Sequence, residues 1–150
     1  MNRTLILMFA LVAPTLGFAF GNDDKWVSGF GQGTKEATIT KGPGNSIYVA
    51  CQNGGISESS VTFYLANTKA DGEKVFLSFD NDAPEEIWIS NGSVTSNCRA
   101  CAANFDYVID KLKSHSLVNV LFPNGDNATF SLSRSREAIG DCKASFYIDF

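Results

Sequence analysis

Asp80, Asp82, Glu85 and Glu86 form the densest cluster of negative charge in the chain, four carboxylates within seven residues. Carboxylates this close together can bind calcium, work as an acid and base pair, or dock a basic partner. The Asp80-Asn81-Asp82 start resembles a calcium loop, but the glycine and the distant glutamate that such a loop needs are out of register. No metal is expected here; most such runs are solvated turns, and this one is also the first candidate for a contact surface facing a basic partner. Trp88 follows, out of phase with Ile87 and Ile89. It is core if helices cover both faces of the sheet and a contact residue if one face is open. Most large aromatics are buried, so core is the expectation. Trp88 still joins Asp80, Asp82, Glu85 and Glu86 as a candidate binding residue.

Four cysteines follow a second chemistry: Cys51, Cys98, Cys101 and Cys142. An even count in an exported chain reads as two disulfides. Three connectivities are open, and Cys51–Cys142 with Cys98–Cys101 is the one favoured. Cys98-Arg99-Ala100-Cys101 has redox spacing, but redox pairs draw their low thiol pKa from a helix N-terminus. The helix expected here begins near Asn104, past the pair, so the bond reads as structural. Zinc held by the four cysteines conflicts with an oxidising compartment. His115 is the only histidine. It stands at an expected helix end, where histidines are commonly exposed, with nothing adjacent to orient it for hydrolysis. Gly29, Gly31 and Gly33 resemble a phosphate loop but lack the Lys-Ser/Thr and the helix that would complete one, so they read as a flexible connection. Asn91-Gly92-Ser93 and Asn127-Ala128-Thr129 are glycosylation sequons. No catalytic residue and no cofactor is called for.

The elements that must position these residues are mostly strands. Val75, Leu77 and Phe79 alternate, then Ile87 and Ile89, with Asp80-Asn81-Asp82-Ala83-Pro84 as turn formers between them. This predicts a hairpin over Lys74–Ser90 at the centre of the domain. Further strands are expected at Trp26–Phe30, Glu36–Thr40, Ser46–Cys51, Ser60–Ala66, Leu117–Phe122 and Ala128–Leu132. Asn22–Lys25 reads as frayed, Asn67–Gly72 as a loop, and Asn91–Cys101 as irregular. Phe105, Val108, Ile109 and Leu112 form a helical stripe of about three turns, with Asn104 as its N-cap and Asp106 in the first turn. A second short helix is expected over Ser133–Cys142, capped by Ser133, and an apolar tail follows at Phe146–Phe150. The fold class is α+β: a β-rich antiparallel sheet or sandwich with two short helices.

Met1–Thr4 carries one positive charge, an apolar run begins at Leu5, and small residues follow at Gly17, Ala19 and Gly21. That is the order of a secretory signal peptide over residues 1–19, too short and too interrupted for a membrane anchor. Residues 20–150 then form one exported β-rich domain. The formal net charge is −4 at pH 7, which argues against nucleic acid and anionic lipid as partners. No membrane insertion of the mature chain is expected.

The succession Lys25-Trp26-Val27-Ser28, Ser46–Cys51, Val75–Asp80, Glu86-Ile87-Trp88, Leu117–Pro123, Ala128–Leu132 and a closing helix ending at Cys142 is similar to the periplasmic accessory proteins of type VI secretion, the TagO/VasI kind. It also resembles, more loosely, the invasion-associated locus B group. The resemblance implies a periplasmic, non-catalytic β-rich module. The leading expectation is thus a periplasmic or secreted protein-binding module, a secretion-system accessory protein among such modules. The alternative is a periplasmic inhibitor or immunity protein that blocks a cell-wall-degrading or toxic enzyme, many of which are basic. A small secreted enzyme ranks last, because the single histidine supplies no catalytic constellation.

Overall fold

Alternation of apolar and polar residues sets the longer strands. The computed structural model describes residues 23–31, 33–52 and 58–144. The chain runs β1 (Val27–Gly31), β2 (Thr34–Thr40), β3 (Ser46–Gln52), β4 (Ser60–Leu65), β5 (Thr68–Lys69), β6 (Lys74–Phe79), β7 (Glu85–Trp88) and β8 (Ser93–Thr95). Helix α1 (Arg99–Ser114), β9 (Leu117–Leu121), β10 (Asn127–Ser131) and α2 (Ser135–Ile139) complete it. The leader expected over residues 1–19 and the tail Phe146–Phe150 lie outside the described residues.

Two antiparallel sheets form. The first has the order β1-β2-β3-β4-β5, with β8 also paired to β4. The second has the order β10-β9-β6-β7. Ile47, Val49 and Cys51 of β3 and Val61, Phe63 and Leu65 of β4 are buried, as are Val75, Leu77 and Phe79 of β6. With Val118, Val120 and Phe130 from the second sheet and Ala102, Phe105, Val108, Ile109 and Leu112 from α1, they make one continuous core. α1 leaves β8 on the first sheet and delivers the chain to β9 on the second. The fold is α+β, as the patterning predicts.

The Lys74–Ser90 hairpin is present, with Val75 opposite Ile87 and Leu77 opposite Glu85. β6 lies inside the second sheet, and β7 is its edge. Tyr48 on β3 donates a 2.6 Å hydrogen bond to Glu36 Oε1 on β2. Burial, reinforced by that carboxylate, pushes the Tyr48 phenol up to about 12.

Several elements depart from the sequence expectation. α1 has 16 residues and is capped by Cys98, not Asn104. That makes it more than four turns long. Its first turn is held by the Cys98 Sγ, which accepts the Cys101 N–H, and its inward residue there is Ala102, whose lone methyl adds little to an apolar stripe. Asp106 therefore lies inside the helix, where its carboxylate accepts the Ala144 N–H at 2.8 Å. The Asn91–Cys101 stretch contains β8, reached through a tight turn in which Asn91 and Gly92 both take positive φ. The Asn67–Gly72 loop contains β5. Gly29 and Gly31 belong to strand β1, which pairs with β2 from Val27 to Gly31, so this is a hairpin and not a loose connection. The Asn22–Lys25 stretch is not frayed at Asp24: its N–H reaches Thr40 O, and its carboxylate binds Lys41 and accepts the Ser131 N–H. α2 spans only five residues, and its N-cap is Arg134 in the left-handed region, not Ser133. His115 is half-buried rather than exposed, the C-cap of α1, with its ring centroid 5.1 Å from that of Phe79.

Candidate functional site

Trp88 is the largest correction. It is 59% exposed, where core is the expectation. β7 is an edge strand whose Ile87 faces the core, so the residue beside it must face outward. Helix α1 does not cover that face. Instead its first turns run past the end of β7, where Asn104 Nδ2 donates 2.8 Å to the Trp88 carbonyl. That bond occupies a backbone acceptor of an edge strand.

Trp88 and Ile89 form one wall of a cleft of about 230 Å³, and Ala100, Cys101 and Asn104 of α1 form the other, with Thr95 of β8 also lining it. The cleft is built on rigid parts. Ser93 and Thr62 share a buried 2.7 Å hydrogen bond between their hydroxyls. Ser96 N donates to Ser59 O, and Ser59 N donates back to Ser96 Oγ, which fixes the chain just before Cys98. The sequence pattern does not single out Ala100, Thr95 or this role for Asn104.

The acidic run is divided among different partners. Asp80 Oδ1 accepts the N–H groups of Ser116 and Leu117 at 2.9 and 3.0 Å. These two bonds hold its carboxyl below the usual carboxylate range. Glu85 turns to α1, where it accepts the Tyr107 hydroxyl and lies 3.4 Å from Lys111 Nζ. The Tyr107 hydrogen bond, with Lys111 behind it, likewise holds Glu85 low. Glu86 pairs with Lys74 at 3.1 Å on the outer face that also carries Trp88. Asp82 is exposed, and its carboxylate has no partner among the described residues. Asp80 and Glu85 are thus structural anchors, while Asp82 and Glu86 face outward. Among the described residues no group of three or more His, Cys, Asp and Glu is placed to hold a metal.

The cysteines pair as Cys51–Cys142 and Cys98–Cys101. A family model, YfjT, matches residues 24–139, from the Asp24 anchor to the last residue of α2. The chain belongs to the YfjT family. The matched span holds both walls of the Trp88 cleft and the Cys98–Cys101 pair, so the candidate site lies within the family's domain. No curated protein and no solved structure matches the chain. Among the described residues, no helix is long and apolar enough to cross a membrane.

Proposed function

We propose that this chain is a non-catalytic protein-binding module of the periplasm or the extracellular space. The observation that carries the reading is Trp88: a large aromatic, 59% exposed, on the rim of a cleft with a rigid frame. An indole held in water beside a concave surface is the kind of anchor on which protein interfaces concentrate their energy. Glu86 shares its face but is paired with Lys74, which lies opposite Trp88, and the exposed Asp82 stands at the far, turn end of the hairpin, so a partner that seats an apolar side chain at Trp88 and reaches Asp82 with a basic group fits best. The leader pattern and the two disulfides support an exported setting. The residue pattern shared with type VI secretion accessory proteins supports an accessory role, and the YfjT match carries no such role itself.

Capture of partners from a periplasmic extract, quantified by mass spectrometry, tests the reading. Trp88→Ala should reduce capture at least ten-fold, and Asp82→Lys with Glu86→Lys several-fold for a basic partner. Capture unchanged in Trp88→Ala would remove the basis of the proposal.

A further inference from the structure

The two disulfides differ in what governs reactivity. Cys51 and Cys142 are each 3% exposed and belong to the core. A thiolate cannot reach them in the folded protein. Cys98 is exposed and Cys101 half-buried in the cleft wall. Cys98 is also the N-cap of a 16-residue helix, and its Sγ accepts the Cys101 N–H at 3.0 Å. On reduction, that N–H and the positive end of the helix dipole would face a Cys98 thiolate. The next residue, Arg99, is an exposed cation. A stabilised thiolate stabilises the reduced pair and so makes the disulfide easier to reduce. Helix α1 starts at Arg99 and not near Asn104, so the pair stands at a helix N-terminus, the setting from which redox pairs draw their low thiol pKa.

We infer that Cys98–Cys101 is a thiol–disulfide exchange site for cysteine thiols of exported proteins, with the Trp88 cleft receiving an apolar residue beside the incoming cysteine. The incoming thiolate attacks the Sγ of Cys98, the more exposed cysteine of the pair. A new S–S bond forms, the Cys98–Cys101 bond breaks, and its electron pair leaves on Cys101 Sγ, which takes up a proton. A second thiol of the same substrate then attacks its own sulfur in the mixed disulfide and releases Cys98 as a thiolate. The substrate dithiol is oxidised by two electrons and becomes a disulfide; the Cys98–Cys101 pair is reduced by the same two electrons. The inference goes beyond the binding reading, and its first test is independent of any partner.

The oxidised protein is equilibrated in graded mixtures of reduced and oxidised glutathione, acid-quenched, alkylated and mapped by mass spectrometry. Cys98 and Cys101 should become reduced over a range in which Cys51–Cys142 stays fully oxidised. Cys101→Ser should collect a glutathione adduct on Cys98, and iodoacetamide should alkylate Cys98 in that variant with a midpoint below the ordinary thiol value of about 8.5. A dithiol peptide with Phe beside its cysteine should exchange several-fold faster than one with Ser, and Trp88→Ala should abolish the difference. If Cys98–Cys101 is reduced no earlier than Cys51–Cys142, or Cys98 alkylates like an ordinary thiol, the exchange site is refuted. Equal rates for the two peptides would refute the role of the cleft.

Discussion

Asp80 joins the hairpin tip to the start of β9 through one exposed carboxylate. Its N–H reaches Leu117 O at 2.9 Å while its Oδ1 receives two N–H groups in return, and its φ of 52° lies in the left-handed region that Asp tolerates. Asp80→Ala should therefore lower the thermal midpoint at pH 7 more than Asp80→Asn, which keeps an acceptor and the same backbone tolerance. The folded carboxyl titrates below its ordinary value of 3.8. Its stabilisation is then fully present above pH 3.8 and is lost as pH falls through the lower folded value. Unfolding of wild type and Asp80→Ala followed from pH 7 down to pH 2 should show the gap narrowing only in that acidic range. A gap independent of pH would show that the charge plays no part. Trp88 shows what a single residue's pattern leaves open. Alternation places it opposite Ile87 and Ile89, but which sheet face a distant helix covers is a tertiary fact that period-2 patterning does not carry.

At the scale of elements, α1 organises the cleft. Its stripe from Phe105 to Leu112 is readable because 3.6-residue spacing and bulky side chains coincide. Its true start is not, because a cysteine is an uncommon cap and Ala100 and Ala102 give a weak periodic signal. The same short-range ambiguity hides β5 and β8, which have two and three residues and gain their strand character only from pairing with β4. The tight pairing of Ser90 with Ser93 through Asn91 and Gly92 is the local signal that could have revealed β8. Phe105 is wholly buried where α1 meets the core. Phe105→Ala should cost roughly 3–5 kcal/mol, a truncation that leaves a cavity the rigid sheets cannot fill. Urea unfolding measures it; a loss below about 1 kcal/mol would mean that α1 is not packed as described.

At the scale of the whole molecule, the N-terminal stretch and the buried disulfide tie distant parts together. Trp26 Nε1 donates 2.9 Å to Ser131 O, which links the start of the first sheet to the last strand of the second. Cys51–Cys142 spans 91 residues and fastens the segment after α2 to β3. In the chain-entropy account, removing it with paired alanines should cost about 4–5 kcal/mol, against about 2 kcal/mol for the short Cys98–Cys101 loop. Denaturant unfolding of the two double variants measures the difference, and equal losses would contradict the contrast drawn between a structural bond and an exposed one. The order of strands other than β5 and β8 was legible from alternation and turn chemistry. Their division between two sheets was not, because sheet membership depends on contacts far apart in the chain, such as β6 with β9.

In the proposed binding role, the Trp88 cleft is the surface that meets the partner. A photo-reactive amino acid placed at position 88, and in a second variant at Asp126 in the exposed β9–β10 turn by the far edge of the same sheet, tests it in living cells. A discrete covalent adduct with an exported protein is expected from position 88 and none from position 126. Adducts of equal yield from both positions, or none from position 88, would contradict it.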